Sequence, residues 1–396
     1  MRIFFITPKL NFTTAGGTTD EYDLTYRTLR DMGEDVSVVT VFSEANNIDR
    51  ELPYTVFKET NVSGRQMGIQ KGVYKILKKY QGQADVFFID GQVFLYGAGF
   101  YRKRGGNVPI VAYFNRELTA WPENISRFFP HKKDNFVKKL KKAARLYVER
   151  HFFMPLANHV DVFCFSNSHL QESYKNFGMD TEGRSFIFGD PFDYRDRMKK
   201  YGVTEDSYIN RNKESGPYNL FYSSRMAPGK GFDLVLTAFS KIKNKENFRL
   251  ILGGTGPEEP LVHKMVKDLN LEKYVELPGW MTKEELYRRF GEADIFVHAY
   301  WRPDITAMSL MTALMFGLPS IVPRGGGLEW VARESALYFE DYNADDLASK
   351  IQLLADDRSL RAKLSKECYV RIDHPEMNHL SRITLLRDKM RQIIHK

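Results

Sequence analysis

Two hydrophobic patterns exchange along this chain. Short, continuously apolar runs at residues 3–6, 36–41, 86–89, 110–114 and 160–165 alternate with helix-length stretches whose apolar residues recur every three or four positions. Unbroken apolar runs suit strands buried on both faces, and their alternation with helices predicts βα units on a parallel sheet. The rhythm stops over a polar stretch in which Gly202, Asn210, Asn212 and Glu214-Ser-Gly-Pro217 punctuate the chain. It restarts with runs at 220–223, 249–252, 275–277, 295–298 and 320–322, with helices beginning near Asp233, Pro260, Lys283 and Ser309. After Pro375 the pattern predicts one closing helix over 380–394. The sequence therefore reads as α/β, with two doubly wound, Rossmann-like domains facing a cleft: 1–198, a linker at 199–216, 217–374, and a terminal segment 375–396. In such domains the loops after the strands carry the ligand groups.

Composition narrows the class. A chain of 396 residues with 43% hydrophobic and 27% charged residues has ample material for two cores, which excludes a disordered or fibrous chain. Cys164 and Cys368 are too few for a disulfide framework or a zinc site, which points to a reducing compartment such as the cytoplasm. The opening Met1–Pro8 run is too short for a secretory signal and reads as a first strand, and no run approaches the roughly 18 apolar residues of a membrane span. The net charge of +8 is concentrated: between His131 and Arg150 eight basic residues face two acidic ones. On a helix, Phe136, Leu140, Ala143, Ala144 and Tyr147 share one face, and Lys138, Lys141, Lys142 and Arg145 fall opposite. Two readings follow: a surface helix docked on its own domain by the Phe136/Leu140/Tyr147 stripe, or a contact with anionic lipid headgroups. Nucleic acid ranks last, because neither zinc-finger spacing nor an RNP-type aromatic run accompanies the charge.

Several loops could bind anions. Thr13-Thr-Ala-Gly-Gly-Thr-Thr19 places Gly16 and Gly17 between the first strand and a helix, where backbone amides approach a ligand closely. Arg225 and Lys230 stand between a strand and a helix, as a fork and a point charge that suit a diphosphate. The loop Gly253-Gly-Thr-Gly-Pro257, containing Gly254, follows another strand but lacks the Gly-Lys-Ser/Thr ending of a Walker loop. In 293–322 a strand is followed by Asp304 and a helix whose first amides, near Thr306 to Ser309, are free to hold a phosphate.

Taken in order, Arg225…Lys230-Gly231, Gly254-Thr-Gly-Pro257, Gly279-Trp280, Ala293-Asp-Ile-Phe-Val297, Ala313-Leu-Met-Phe-Gly-Leu-Pro319 and Gly325-Gly-Gly327 resemble the retaining GT-B glycosyltransferases of family four. The resemblance covers nearly the whole chain and is strongest over 221–339. It implies a GT-B fold whose last helix crosses back to the first domain, and a hexosyltransferase-like enzyme using a nucleotide-sugar co-substrate without a metal. It also implies a glycan or lipid-linked acceptor in cell-envelope polysaccharide or glycolipid synthesis, at the inner face of a membrane. By the same resemblance Gly16 and Gly17 close over the donor, Arg225 and Lys230 hold its diphosphate, and amides near Ala307 and Met308 complete the anion site, with Gly254 and Trp280 beside it.

Two departures stand out. The family's paired glutamates, eight positions apart, are Asp304 and Thr312 here, and one hydroxyl cannot reproduce a carboxylate's two-oxygen grip on ribose. Where many members carry a histidine after the 110–114 strand, this chain has Asn115-Arg-Glu117; Asn115 positions rather than carries a proton, and Glu117 is a candidate acceptor-side base. These departures motivate a rival reading, a catalytically weak paralogue acting as a binding or stabilising subunit. An epimerase on the same fold fits the second-domain motifs poorly.

Overall fold

A computed structural model of the chain describes residues 1–12, 18–60, 62, 64–116, 136–300 and 306–395. The described residues group into two compact units: 1–116, 136–192 and 378–395 in the first, and 193–377 in the second.

The first unit is a seven-stranded, wholly parallel sheet in the order β3-β2-β1-β4-β5-β6-β7. Its strands are β1 (Arg2–Thr7), β2 (Asp35–Thr40), β3 (Thr55–Lys58), β4 (Val86–Asp90), β5 (Ile110–Phe114), β6 (Val162–Phe165) and β7 (Ser185–Ile187). Because side chains alternate faces along a strand, β1 sends Phe4 and Ile6 into one core with Phe87, Phe94 and Phe114. Ile3 and Phe5 enter a second core on the other face, with Tyr26, Phe88 and Tyr113. That second core is completed by the last helix, His379–Ile394, which contributes Ile383, Leu386 and Met390 at the spacing of one helical face. The side chain of Asn378 starts this helix by accepting from the Ser381 amide at 3.2 Å. Near its end Arg391 reaches the buried Glu34 carboxylate, which also pairs with the Met1 ammonium at 2.8 Å.

The second unit is a six-stranded parallel sheet in the order β10-β9-β8-β11-β12-β13. Its strands are β8 (Tyr218–Ser223), β9 (Phe248–Gly253), β10 (Val275–Gly279), β11 (Ile295–Val297), β12 (Ser320–Pro323) and β13 (Ala336–Phe339). In both sheets the first strand in sequence lies inside, flanked by strands wound in opposite directions, which makes β1/β4 and β8/β11 the topological switch points.

Three edge or near-edge strands, β3, β7 and β13, had no counterpart in the apolar runs, because three or four half-covered residues leave no long run to see. The polar stretch 199–216 is not a free connector. It holds the end of the helix Tyr194–Tyr201 and a short turn at Ile209–Arg211, and it is stitched to the second unit. Tyr208 is buried and donates to the Asp294 carbonyl at 2.9 Å, while Asn212 accepts from Arg361 Nε at 3.0 Å. Its polarity serves internal hydrogen bonds rather than solvent, a distinction that composition does not carry.

Candidate functional site

At the switch point of the second sheet, the β8 loop is held by the β9 loop, backbone against backbone. The amides of Ser224 and Met226 donate to the Gly253 and Thr255 carbonyls at 3.1 and 2.9 Å. Gly254 sits at φ +118°, and a Cβ there would lie 1.9 Å from the Ser224 carbonyl oxygen. Only glycine permits both the conformation and the approach. Arg225 projects exposed from the β8 loop. Lys230 precedes Gly231, whose φ of +76° and closeness to the Ala299 carbonyl, 2.6 Å from a built Cβ, fix the start of the helix Phe232–Ser240 against the end of β11. The Lys230 ammonium lies 3.6 Å from the centre of the Tyr300 ring.

Beyond β11, the helix Met308–Met315 begins at Ala307, which adopts φ +44° and offers no side-chain cap. A non-glycine residue in that region is strained by about 1 kcal/mol or more, and in the first turn the Leu310 amide donates to the Ala307 carbonyl at 2.9 Å, leaving the positive dipole end without a side-chain cap on Ala307. Thr312 is buried four residues into this helix, and its hydroxyl donates to the Met308 carbonyl at 2.8 Å. Its proton is thus committed to the helix itself. At the next helix start the Gly325 amide is bonded by Glu329 at 2.7 Å. Trp280 follows edge strand β10 with its side chain 72% exposed.

The strand before Ala299 ends in a histidine that the motif reading passed over. His298 is 4% exposed, and among the described residues neither ring nitrogen has a hydrogen-bond partner. Burial and the charge of Lys230 push its pKa down to about 3, so the ring is neutral.

The switch point of the first sheet gathers acids. Asp90 ends β4 and caps the helix Gly91–Lys103 by accepting from the Val93 amide at 3.2 Å. Burial raises its pKa to about 6, against the pull of that amide and of Arg116. Asp190 is pushed up to about 6 by the same cause and takes a hydrogen bond from the buried Tyr113 hydroxyl. Asn115 lies half-buried just beyond β5, next to Arg116, whose carbonyl accepts from Tyr174 at 3.0 Å. Neither acid stood out in the sequence, although the Val86–Asp90 run ending in a carboxylate before Gly91 was a legible signal. Gly16, Gly17, Glu117 and Asp304 lie outside the described residues.

The basic helix runs Phe136–Val148. The expectation that its apolar stripe docks it on its own domain is overturned: Phe136 is 78% and Tyr147 62% exposed, with Leu140, Val137 and Phe152 also open to solvent. Attachment comes instead at its far end, where a π-helical turn, Glu149–Phe153, buries Glu149 to accept from Tyr96 at 2.6 Å. Beside it a groove of about 360 Å³ is lined by Met67, Tyr96, Arg145, Val148, Glu149 and Phe153. Lys141 and Arg145 are exposed and Lys142 half-buried; the side chain of Lys138 lies outside the described residues. No helix among the described residues is long and apolar enough to cross a membrane.

Comparison with known proteins gives these features a context. Residues 204–371 match the family model described as glycosyl transferases group 1. The chain is 28% identical over 153 residues to mannosylfructose-phosphate synthase of Agrobacterium fabrum, covering 36% of this chain and 34% of that protein. It is 31% identical over 143 residues to the lipopolysaccharide core biosynthesis glycosyltransferase LpsD of Rhizobium meliloti, covering 36% and 40%. These matches therefore span well under half of either relative. Among solved structures, HepE of Anabaena in complex with UDP and glucose superposes with a TM-score of 0.71 at 16% identity, covering 99% of each chain. Sucrose-phosphate synthase from Thermosynechococcus elongatus gives 0.73 at 15%, covering 100% of each. At such identities the likeness is one of fold.

Proposed function

We propose, for a chain whose residues 204–371 form a glycosyl transferases group 1 domain within a GT-B architecture, a retaining transfer of a sugar from a nucleotide sugar to a glycan or lipid-linked acceptor. The observation that carries this reading is the β8 loop, where Arg225 and Lys230 stand at the switch point on a backbone locked by Gly254 and Gly231. Fixed cations and an uncapped helix start suit the charge that grows on a departing nucleoside diphosphate, and they need no reorganisation as it develops. In the front-face route, the bond from the sugar's anomeric carbon to the diphosphate oxygen breaks. The acceptor oxygen bonds that carbon from the same side, and its proton passes to the departing diphosphate. Asp304 is assigned to the sugar by its motif position, Asn115 to orienting it, and Glu117 to the acceptor side. Arg225 and Lys230 supply the charge that a metal provides elsewhere, so the reaction proceeds without one.

A thermal-shift screen against UDP, GDP, ADP and their sugars tests the donor site. One base at about 100 times its dissociation constant should stabilise the protein by roughly 2.7 kcal/mol, with the shift unchanged by chelator. No shift with any nucleotide would favour the weak-paralogue reading, for which the committed hydroxyl of Thr312 is the relevant observation.

The acceptor side is proposed to work at an anionic membrane surface. The open Phe136/Leu140/Tyr147 stripe supplies apolar insertion, and Lys138, Lys141, Lys142 and Arg145 supply about 1 kcal/mol each near anionic headgroups. These features support synthesis at the cytoplasmic face of the cell envelope. Flotation with phosphatidylglycerol vesicles should exceed that with neutral vesicles, and glutamate at positions 138, 141 and 142 should abolish the difference. Equal binding to both vesicle types would defeat the electrostatic reading.

A further inference from the structure

His298 occupies an unusual position for a residue with no visible task. It directly follows β11, whose residues Ile295, Phe296 and Val297 are fully buried and apolar, and its own amide continues the sheet pairing by donating to the Ile321 carbonyl at 2.9 Å. Its ring stands edge-on to Tyr222, the centroids 5.9 Å apart, and 6.2 Å from that of Phe296. Both ring nitrogens are buried without a partner among the described residues. A buried polar group left in that state is destabilising, whereas an apolar side chain of similar size would fill the same space without that penalty. A chain that keeps an imidazole there carries a cost that packing does not explain.

The surroundings indicate what recovers that cost. His298 lies at the carboxyl edge of the sheet, at the β8/β11 switch point, within the electrostatic reach of Lys230. Two residues further on is Tyr300, over whose ring the Lys230 ammonium rests. A neutral imidazole carries one N–H, and beside a lysine the fitting partner is an acceptor with negative charge rather than another donor. We propose that His298 is a donor-binding residue, giving its ring N–H to a phosphoryl oxygen of the nucleoside diphosphate that Lys230 neutralises. This rests on the donor-site reading above and extends it to a residue outside that site's motifs. The diphosphate would supply the acceptor that the ring N–H lacks among the described residues.

A residue kept for packing and one kept for binding respond oppositely to an apolar replacement. His298→Leu should raise or preserve the thermal midpoint of the free protein, because two orphaned polar atoms disappear. It should also weaken by about tenfold the affinity for whichever of UDP, GDP and ADP binds the wild type. Affinity for the corresponding nucleoside, which lacks the phosphates, should be unchanged, and His298→Gln or His298→Asn should recover part of the loss. Wild-type affinity of the leucine variant for the diphosphate would overturn the assignment. So would an equal loss for nucleoside and diphosphate. Should the leucine variant not fold, ring-labelled histidine in the wild-type protein decides: saturation with the diphosphate must shift the His298 ring signals, and unshifted signals would refute the proposal. If the wild type binds no nucleotide at all, it is the donor-site reading that fails, and this result is distinct from the others.

Discussion

Lys230→Ala should lower sugar transfer by a factor of about 10²–10³, acting on kcat more than on KM. The reason lies in where the charge sits. In the proposed reaction the diphosphate of the intact donor is already anionic and is assigned in part to Arg225, but the oxygen released as the glycosidic bond breaks gains its charge only in the transition state. That is the charge assigned to Lys230 to stabilise. Its backbone is pinned between the Ala227 carbonyl, which its amide reaches at 3.0 Å, and Gly231, which packs on Ala299. Its ammonium is held over Tyr300 rather than ranging through solvent. Arg225 is exposed, and Arg225→Ala should show the smaller loss and a larger share of it in KM. Lys230→Arg should recover only part of the rate, since a wide fork replaces a compact charge over the ring. Steady-state kinetics on the four proteins reads all of this. A Lys230→Ala enzyme with wild-type kcat would remove the lysine from the transition state and leave the proposed chemistry without its principal cation.

The largest loss of stability should come from a residue far from any chemistry. Arg361→Met is expected to cost on the order of 3–5 kcal/mol, lowering the thermal midpoint of the second unit by about 10 °C. Arg361 is 1% exposed in the helix Arg358–Asp373. Among the described residues its guanidinium pairs with no carboxylate. Nε donates to Asn212 at 3.0 Å, one terminal nitrogen to the Ala355 and Leu354 carbonyls, and the other to the Lys213 carbonyl. The guanidinium also stacks 4.8 Å from the Tyr218 ring. Methionine would match the length and keep the ring contact, but it would leave those carbonyls buried without donors, and that unmet desolvation dominates the cost. Nucleoside diphosphate affinity, measured below the transition, should be unaffected. A midpoint within 2 °C of wild type, measured by differential scanning calorimetry, would mean that the carbonyls find other partners.

Much of this protein was legible in the order of its residues. The central strands, four helix starts in the second unit and the repetition of the pattern in two units follow from local periodicity, because a strand buried on both faces must be apolar along its length. Ile110–Phe114 is a strand in both readings, and the helix expected near Lys283 begins at Lys283. The loops bearing Arg225, Lys230 and Gly254 were also visible, since glycine next to a strand end marks backbone that must come close to something.

Tertiary structure alone decided the rest. The segment 199–216 reads as a linker because its residues are polar, yet Tyr208 and Asn212 spend that polarity on Asp294 and Arg361, more than 80 residues away. The stripe of Phe136, Leu140 and Tyr147 has the spacing of a docked face, but spacing reports only that residues share a side of a helix, not that another surface covers it. Asp90 and His298 take their meaning from the strand order, which brings β4 beside β1 and β11 beside β8, and from burial that shifts their proton affinity. Periodicity is a property of one element, whereas hydrogen-bond satisfaction, exposure and pKa belong to pairs of elements distant in sequence. The order of residues thus carries the central strands and the glycine-marked loops beside them; only the packing of those elements decides which polar groups are buried without partners among the described residues.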